Sequence, residues 1–170
     1  MDVATDTRAA RLIASIRIIL GAIFLWAFLD KTFGFGYTTP SSRAWLEGGN
    51  PTQGYLGSSF GPLDGLFHAM AGNVLVDFLF MLGLAGVGIA MILGIGVRVG
   101  GWAGFAMVLL MYLSHPAPWA EPNGTHPLLD NHVLQAAAFL LLAVTPSGDT
   151  WGLGRWWKAQ PLVQKRPWLA

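Results

Sequence analysis

The chain has 170 residues, of which 54% are hydrophobic and 11% charged, with a formal net charge of +1 and no cysteine. Soluble domains carry roughly 25% charged residues, so water is not the main solvent of this chain, and a net charge this small offers no basic field for nucleic acid. The absence of cysteine excludes disulfides, thiolate metal centres, iron–sulfur clusters and any thiol relay, so electrons handled here must reside on a bound cofactor, a quinone or the substrate.

Arg8, Arg11 and Arg17 precede an apolar run from Ile18 to Leu29. The run ends in Asp30-Lys31-Thr32-Phe33 rather than in a small-residue cleavage site, so it reads as a first span over about 12–33 and not as a secretory signal. A second span follows over about 74–96, with Asp77 as its one ionisable residue. A third runs over about 99–114, after the turn around Gly96-Val97-Arg98 and before Pro116 and Pro118. The fourth, about 128–145, is the shortest and stops at Pro146-Ser147-Gly148. Continuous apolar runs exclude the alternation of a barrel, and lipid admits only helices or closed barrels, so the expected fold is all-α. It is a single four-transmembrane-helix bundle over 1–170, with a long structured outer loop at 34–73 and a cytoplasmic tail at 146–170.

Lysine and arginine are retained on the cytoplasmic side. Arg8, Arg11, Arg17, Arg98, Arg155, Lys158, Lys165 and Arg166 fall on one side of a four-span arrangement, and only Lys31 and Arg43 on the other. Both termini of this multi-pass cell-membrane protein are therefore expected inside. Arg17 and Arg98 read as span-end residues reaching headgroups. Within the loop, Leu63, Leu66, Phe67 and Met70 recur at helical spacing after Pro62, predicting a short interfacial helix. Trp151, Trp156 and Trp157, interleaved with Arg155 and Lys158, predict an interfacial anchor. Gly86, Ala90 and Gly94, then Gly96, Gly100 and Gly104, are spaced by four and predict close packing of the second and third spans, or else an oligomer contact.

His68, His115, His126 and His132 all fall on the outer side, as do Asp30, Glu47, Asp64, Asp77, Glu121 and Asp130. Ionisable groups within or at the ends of spans are costly and turn toward the bundle interior or a partner, which singles out Asp30, Asp77 and His132 as candidate catalytic groups. Trp26, one turn before Asp30, His115 at the end of the third span and Gln135, three residues after His132, are candidate cofactor-binding residues. Each also has a structural reading: a helix-end acid for Asp30, a dipole partner for Asp77, an interfacial histidine for His132. His115 with His132 is the one pair that could ligate a b-type haem, and its spacing gives little support. A quinone asks for less, an apolar cleft with aromatic walls and one or two hydrogen-bonding groups. No ligand-spaced motif points to a metal.

The stretch from Arg17-Ile18 through Gly21, then Phe24-Leu25-Trp26-Ala27-Phe28-Leu29-Asp30-Lys31-Thr32-Phe33-Gly34, resembles the first-helix motif of the DoxX/DoxD family of small membrane proteins. The resemblance continues through Trp45, Gly48-Gly49, Pro51-Thr52, Asp77 to Gly83, and Asp130 with His132, covering about 12–158. It implies four membrane spans. Through the DoxD branch it also implies a subunit of thiosulfate:quinone oxidoreductase, which oxidises thiosulfate to tetrathionate and reduces quinone. The expectation is a redox-associated subunit of a respiratory chain, handling quinone or quinol at the outer face within the lipid bilayer. The competing reading is a non-catalytic accessory subunit of a larger redox, respiratory or oxidative-stress complex.

Overall fold

The computed structural model describes residues 7–114, 126 and 128–170; His115 and Glu121 lie outside the described residues. Among the described residues the secondary structure is wholly helical. The helices are α1 (Thr7–Phe33), α2 (Gln53–Leu56), α3 (Asp64–Met70), α4 (Val74–Leu93), α5 (Val97–Ser114), α6 (Asn131–Val144), α7 (Gly154–Lys158) and α8 (Pro161–Lys165), with short 3₁₀ turns between some of them. Three, α1, α4 and α5, are long and apolar enough to cross a membrane. α6 is apolar but has 14 residues, roughly 21 Å of helix against a hydrocarbon core of ~30 Å.

The caps explain the helix limits. Asn73 accepts the Leu75 and Val76 amides at 3.0 and 3.4 Å, starting α4. Gly94, at φ +73°, ends it, its amide returning to the Ala90 carbonyl at 2.8 Å. Asp130 starts α6 in the same way as Asn73 starts α4, accepting the His132 and Val133 amides at 2.9 and 3.3 Å.

α1 packs most closely on α4 and α5 on α6. The core joins Leu20 and Phe24 of α1 to Met81, Leu84, Val87 and Met91 of α4, Val108 of α5, and Phe139 and Leu142 of α6. Phe24 meets Phe139 edge-on at 5.0 Å, tying α1 to α6. Small residues permit these approaches, and where the spacing by four predicts it Gly100 of α5 meets Ala90 of α4, a Cβ there lying 3.2 Å from the Ala90 methyl. A Cβ on Gly21 would lie 2.8 Å from Met91, and one on Gly88 would lie 2.8 Å from the backbone of Leu25, so α1 and α4 meet there. Gly101 and Gly104 lie against Ala143 and Phe139 of α6, Gly100 lies against Met91, and Gly86 faces open space. The stripe is thus divided among three neighbours, because the helices pair in a different phase from the one a simple hairpin would impose.

Arg17 also departs from expectation. Rather than reaching headgroups, it is fully buried. Its Nη1 donates to the Met91 carbonyl and, at 3.1 Å, to that of Ile92, both in the last turn of α4. Its Nη2 donates to the Thr150 and Trp151 carbonyls at 3.1 and 3.0 Å. One guanidinium therefore satisfies helix-end carbonyls that have no intrahelical partner and fastens the tail beneath the bundle. Trp151, held in that clasp, has φ +52°. The tail continues inward: the Leu153 amide donates to the Leu93 carbonyl at 2.8 Å, and Trp157 Nε1 to that of Leu169 at 2.7 Å. Lys158 pairs with Asp149 at 2.8 Å. Trp151 and Trp156 remain exposed, as an anchor requires, whereas Trp157 is half-buried.

Candidate functional site

At the opposite end of the bundle, segment 34–73 folds back over the helix ends, and two carboxylates hold it there. Asp30, buried in the last turn of α1, accepts the Tyr37 amide on Oδ1 at 3.2 Å and the Thr38 and Thr39 amides on Oδ2 at 3.0 Å each. The Thr38 hydroxyl adds a bond at 2.7 Å. Asp77, buried in the first turn of α4, accepts the Thr52 amide and hydroxyl at 2.9 and 2.6 Å. The Gly72 amide in turn donates to the Thr52 hydroxyl oxygen at 3.2 Å. Donors to an ionised acceptor make short, strong bonds, so each acid fixes one part of the returning segment.

His132 is half-buried, and its Nδ1 donates to Asp130 Oδ2 at 2.7 Å. Burial pushes the Asp130 carboxyl up, but hydrogen bonds from the His132 ring and from the His132 and Val133 amides hold it below its ordinary value. Asp30, Asp77 and His132 thus bond to three separate partners: the 37–39 turn, Thr52 and Asp130. Gln135 is half-buried one turn beyond His132. Trp26 belongs to an exposed aromatic ledge, stacked on Phe35 at 5.7 Å and edge-on to Tyr37 at 5.1 Å.

Two clefts open in this region. The first, about 280 Å³, lies between α4 and α5 beneath α2 and α3; Phe67, Phe80, Met70, Met107 and Met111 form its apolar walls. Its polar groups are Thr52, Tyr55 and Ser114. The Tyr55 hydroxyl donates to the Met111 carbonyl at 3.0 Å, and Ser114 Oγ donates to the same carbonyl at 3.0 Å. Burial raises the Tyr55 phenol above its ordinary pKa; a hydrogen bond with Ser114 works against this, and the charge of Asp130 adds to it. Asp130 and its histidine are therefore electrostatic neighbours of the cleft. The α3 helix is as expected in position, but Phe67 turns inward to the cleft while Leu63 and Leu66 stay exposed.

The second cleft, also about 280 Å³, is polar. Lys31 and Arg43 both line it, with Thr38, Thr39, Asn50 and Ser58, and Tyr55 is again part of the wall. Among the described residues, ion pairs join His132 to Asp130 and Lys158 to Asp149, and neither cation of this cleft takes part. These two cations, 12 positions apart in the sequence, share one cleft because the chain turns back at the Asp30-bound segment. Tyr55 gave no signal in the sequence, because a lone tyrosine in a four-residue helix has no periodicity to mark it. Among the described residues no group of three or more metal-ligating side chains occurs.

No curated protein and no solved structure matches the chain. The model of the DoxD family, described as TQO small subunit DoxD, matches residues 12–153. That span takes in most of α1, both clefts and the Arg17 clasp, and the chain belongs to the DoxD family.

Proposed function

We propose that this multi-pass membrane protein is a subunit of a thiosulfate:quinone oxidoreductase-type complex, with the apolar cleft as its quinone headgroup site and the polar cleft as its sulfur-oxyanion site. One observation carries the reading: two clefts of opposite chemistry meet on a single residue, Tyr55. The apolar cleft suits a quinone ring in having aromatic and thioether walls with a few hydroxyls, the composition usual for small-molecule pockets. A bound quinone would accept two electrons and two protons. Thr52, Tyr55 and Ser114 would orient its carbonyls, with Thr52 positioned by Asp77. The His132–Asp130 pair, close enough to act on Tyr55, would manage protons. Lys31, whose charge also feels the Asp30 carboxylate, and Arg43 suit a dianion such as thiosulfate, two of which yield tetrathionate and two electrons. Asp30 would act through the turn that carries Thr38 and Thr39.

In this reading four helices span the bilayer, α6 with local thinning, the 34–73 segment lies outside and both termini lie in the cytoplasm. The competing accessory-subunit reading draws on the Asp30 and Asp77 bonds, which serve segment architecture, and on the exposed ledge of Trp26, Phe33, Phe35 and Tyr37.

The test is thiosulfate-dependent quinone reduction by protein reconstituted in nanodiscs, with any co-purifying subunit retained. Lys31→Gln with Arg43→Gln should raise the KM for thiosulfate about tenfold or more and leave quinone affinity unchanged. Tyr55→Phe should lower turnover about a hundredfold or more, the usual contribution of a proton-handling group being roughly 10²–10⁴-fold. Unchanged kinetics in both variants would sink the site assignment. Wild-type protein inert with both ligands, yet arriving with a larger enzyme, would favour the accessory role.

A further inference from the structure

Beside the apolar cleft, and sharing Leu79 with it, lies a groove of about 560 Å³ that follows the α4–α5 junction toward the other end of the molecule. Its sides are Gly83, Gly86 and Ala90 of α4 and Gly100 and Ala103 of α5. At Gly83 a Cβ would collide with the Met107 sulfur at 2.5 Å, so Met107, a wall of the headgroup cleft, lies in the space that this glycine leaves. At Gly86 nothing lies within 4 Å of a Cβ position. The far end of the groove is formed by Trp157 and Leu169, locked together by the 2.7 Å bond from the indole.

Two features identify the occupant. The groove is apolar, so it takes hydrocarbon and not a headgroup. It also ends against the folded tail, which suits a chain lying along it from one end and obstructs a transmembrane helix running past. Membrane quinones carry long isoprenoid chains. Resting on the quinone reading of the headgroup cleft, we infer that the α4–α5 groove holds the isoprenoid tail, so that the site selects long-tailed quinones over short-tailed ones.

The test is binding of a short-tailed and a long-tailed form of the same quinone to the full chain in mild detergent, read by quenching of tryptophan fluorescence. Gly86→Leu places a side chain in open space and so should fold normally; Ala103→Leu fills the same groove from the α5 side. The wild type should bind the long-tailed form about tenfold or more tightly than the short-tailed one, through van der Waals packing of the tail along the groove. Both variants should remove most of that preference and leave the short-tailed affinity unchanged. Equal affinity of the wild type for the two forms, or a preference unaffected by both variants, overturns the tail groove while the headgroup site stands. Failure of both forms to bind overturns the headgroup reading itself. A change in oligomeric state with the tail preference intact would make the groove a protein contact and likewise overturn the inference.

Discussion

Arg17 shows how far a residue's surroundings can differ from its place in the sequence. An arginine ten residues into an apolar helix reads as a span-end cation, yet it binds four carbonyls from two distant segments. Arg17→Ala would leave those acceptors buried and unpaired, at roughly 1–3 kcal/mol for each such group before relaxation. We therefore expect a loss of about 3 kcal/mol or more, seen as a lowered melting temperature in detergent. Arg17→Lys should recover only part of it, because a single ammonium cannot reproduce the planar fork. Asp30 is the counterpart at the other end. Asp30→Asn keeps the shape but removes the charge and one acceptor oxygen, with an expected cost of about 1–3 kcal/mol. Proteolysis within 37–43 should speed up before the helices melt; an unchanged cleavage rate would mean that the turn is held by other contacts.

Among the elements, α6 depends most on a single cap. Its 14 residues are few for a self-sustaining helix, and Asp130 supplies both the amide acceptors of its first turn and the histidine partner. The carboxyl is held below its ordinary value, so its contribution is fully present above the unfolded value of about 3.9 and is lost as pH falls through the lower folded value. The protection of the first-turn α6 amides, relative to the intrinsic exchange rate at each pH, should accordingly fall on acidification below about pH 4. Asp130→Ala should flatten that dependence and cost about 1 kcal/mol. A first turn whose protection ignores both acid and the substitution would place the stability of α6 in its packing on α5 instead. The α4–α5 junction illustrates the converse: small-residue spacing was legible, but which neighbour each glycine meets was not, since that depends on helix phase.

For the whole molecule, the lack of native cysteine allows topology to be read from single introduced thiols. Ser42→Cys should react with a membrane-impermeant maleimide in intact cells and Gln164→Cys only after permeabilisation; the reverse pattern would invert the bundle. Composition and hydropathy alone determined that this is a helical membrane protein, because lipid leaves a buried backbone no hydrogen-bonding partner except its own. The first-helix motif determined the family. Only the tertiary structure decided which polar groups share a space. Lys31 with Arg43, and Tyr55 with the methionines of α5, are joined because Asp30 and Asp77 fold segment 34–73 back over the helix ends. Those bonds link residues that no local period connects, so neither cleft, nor the buried clasp of Arg17, could be read from spacing along the chain.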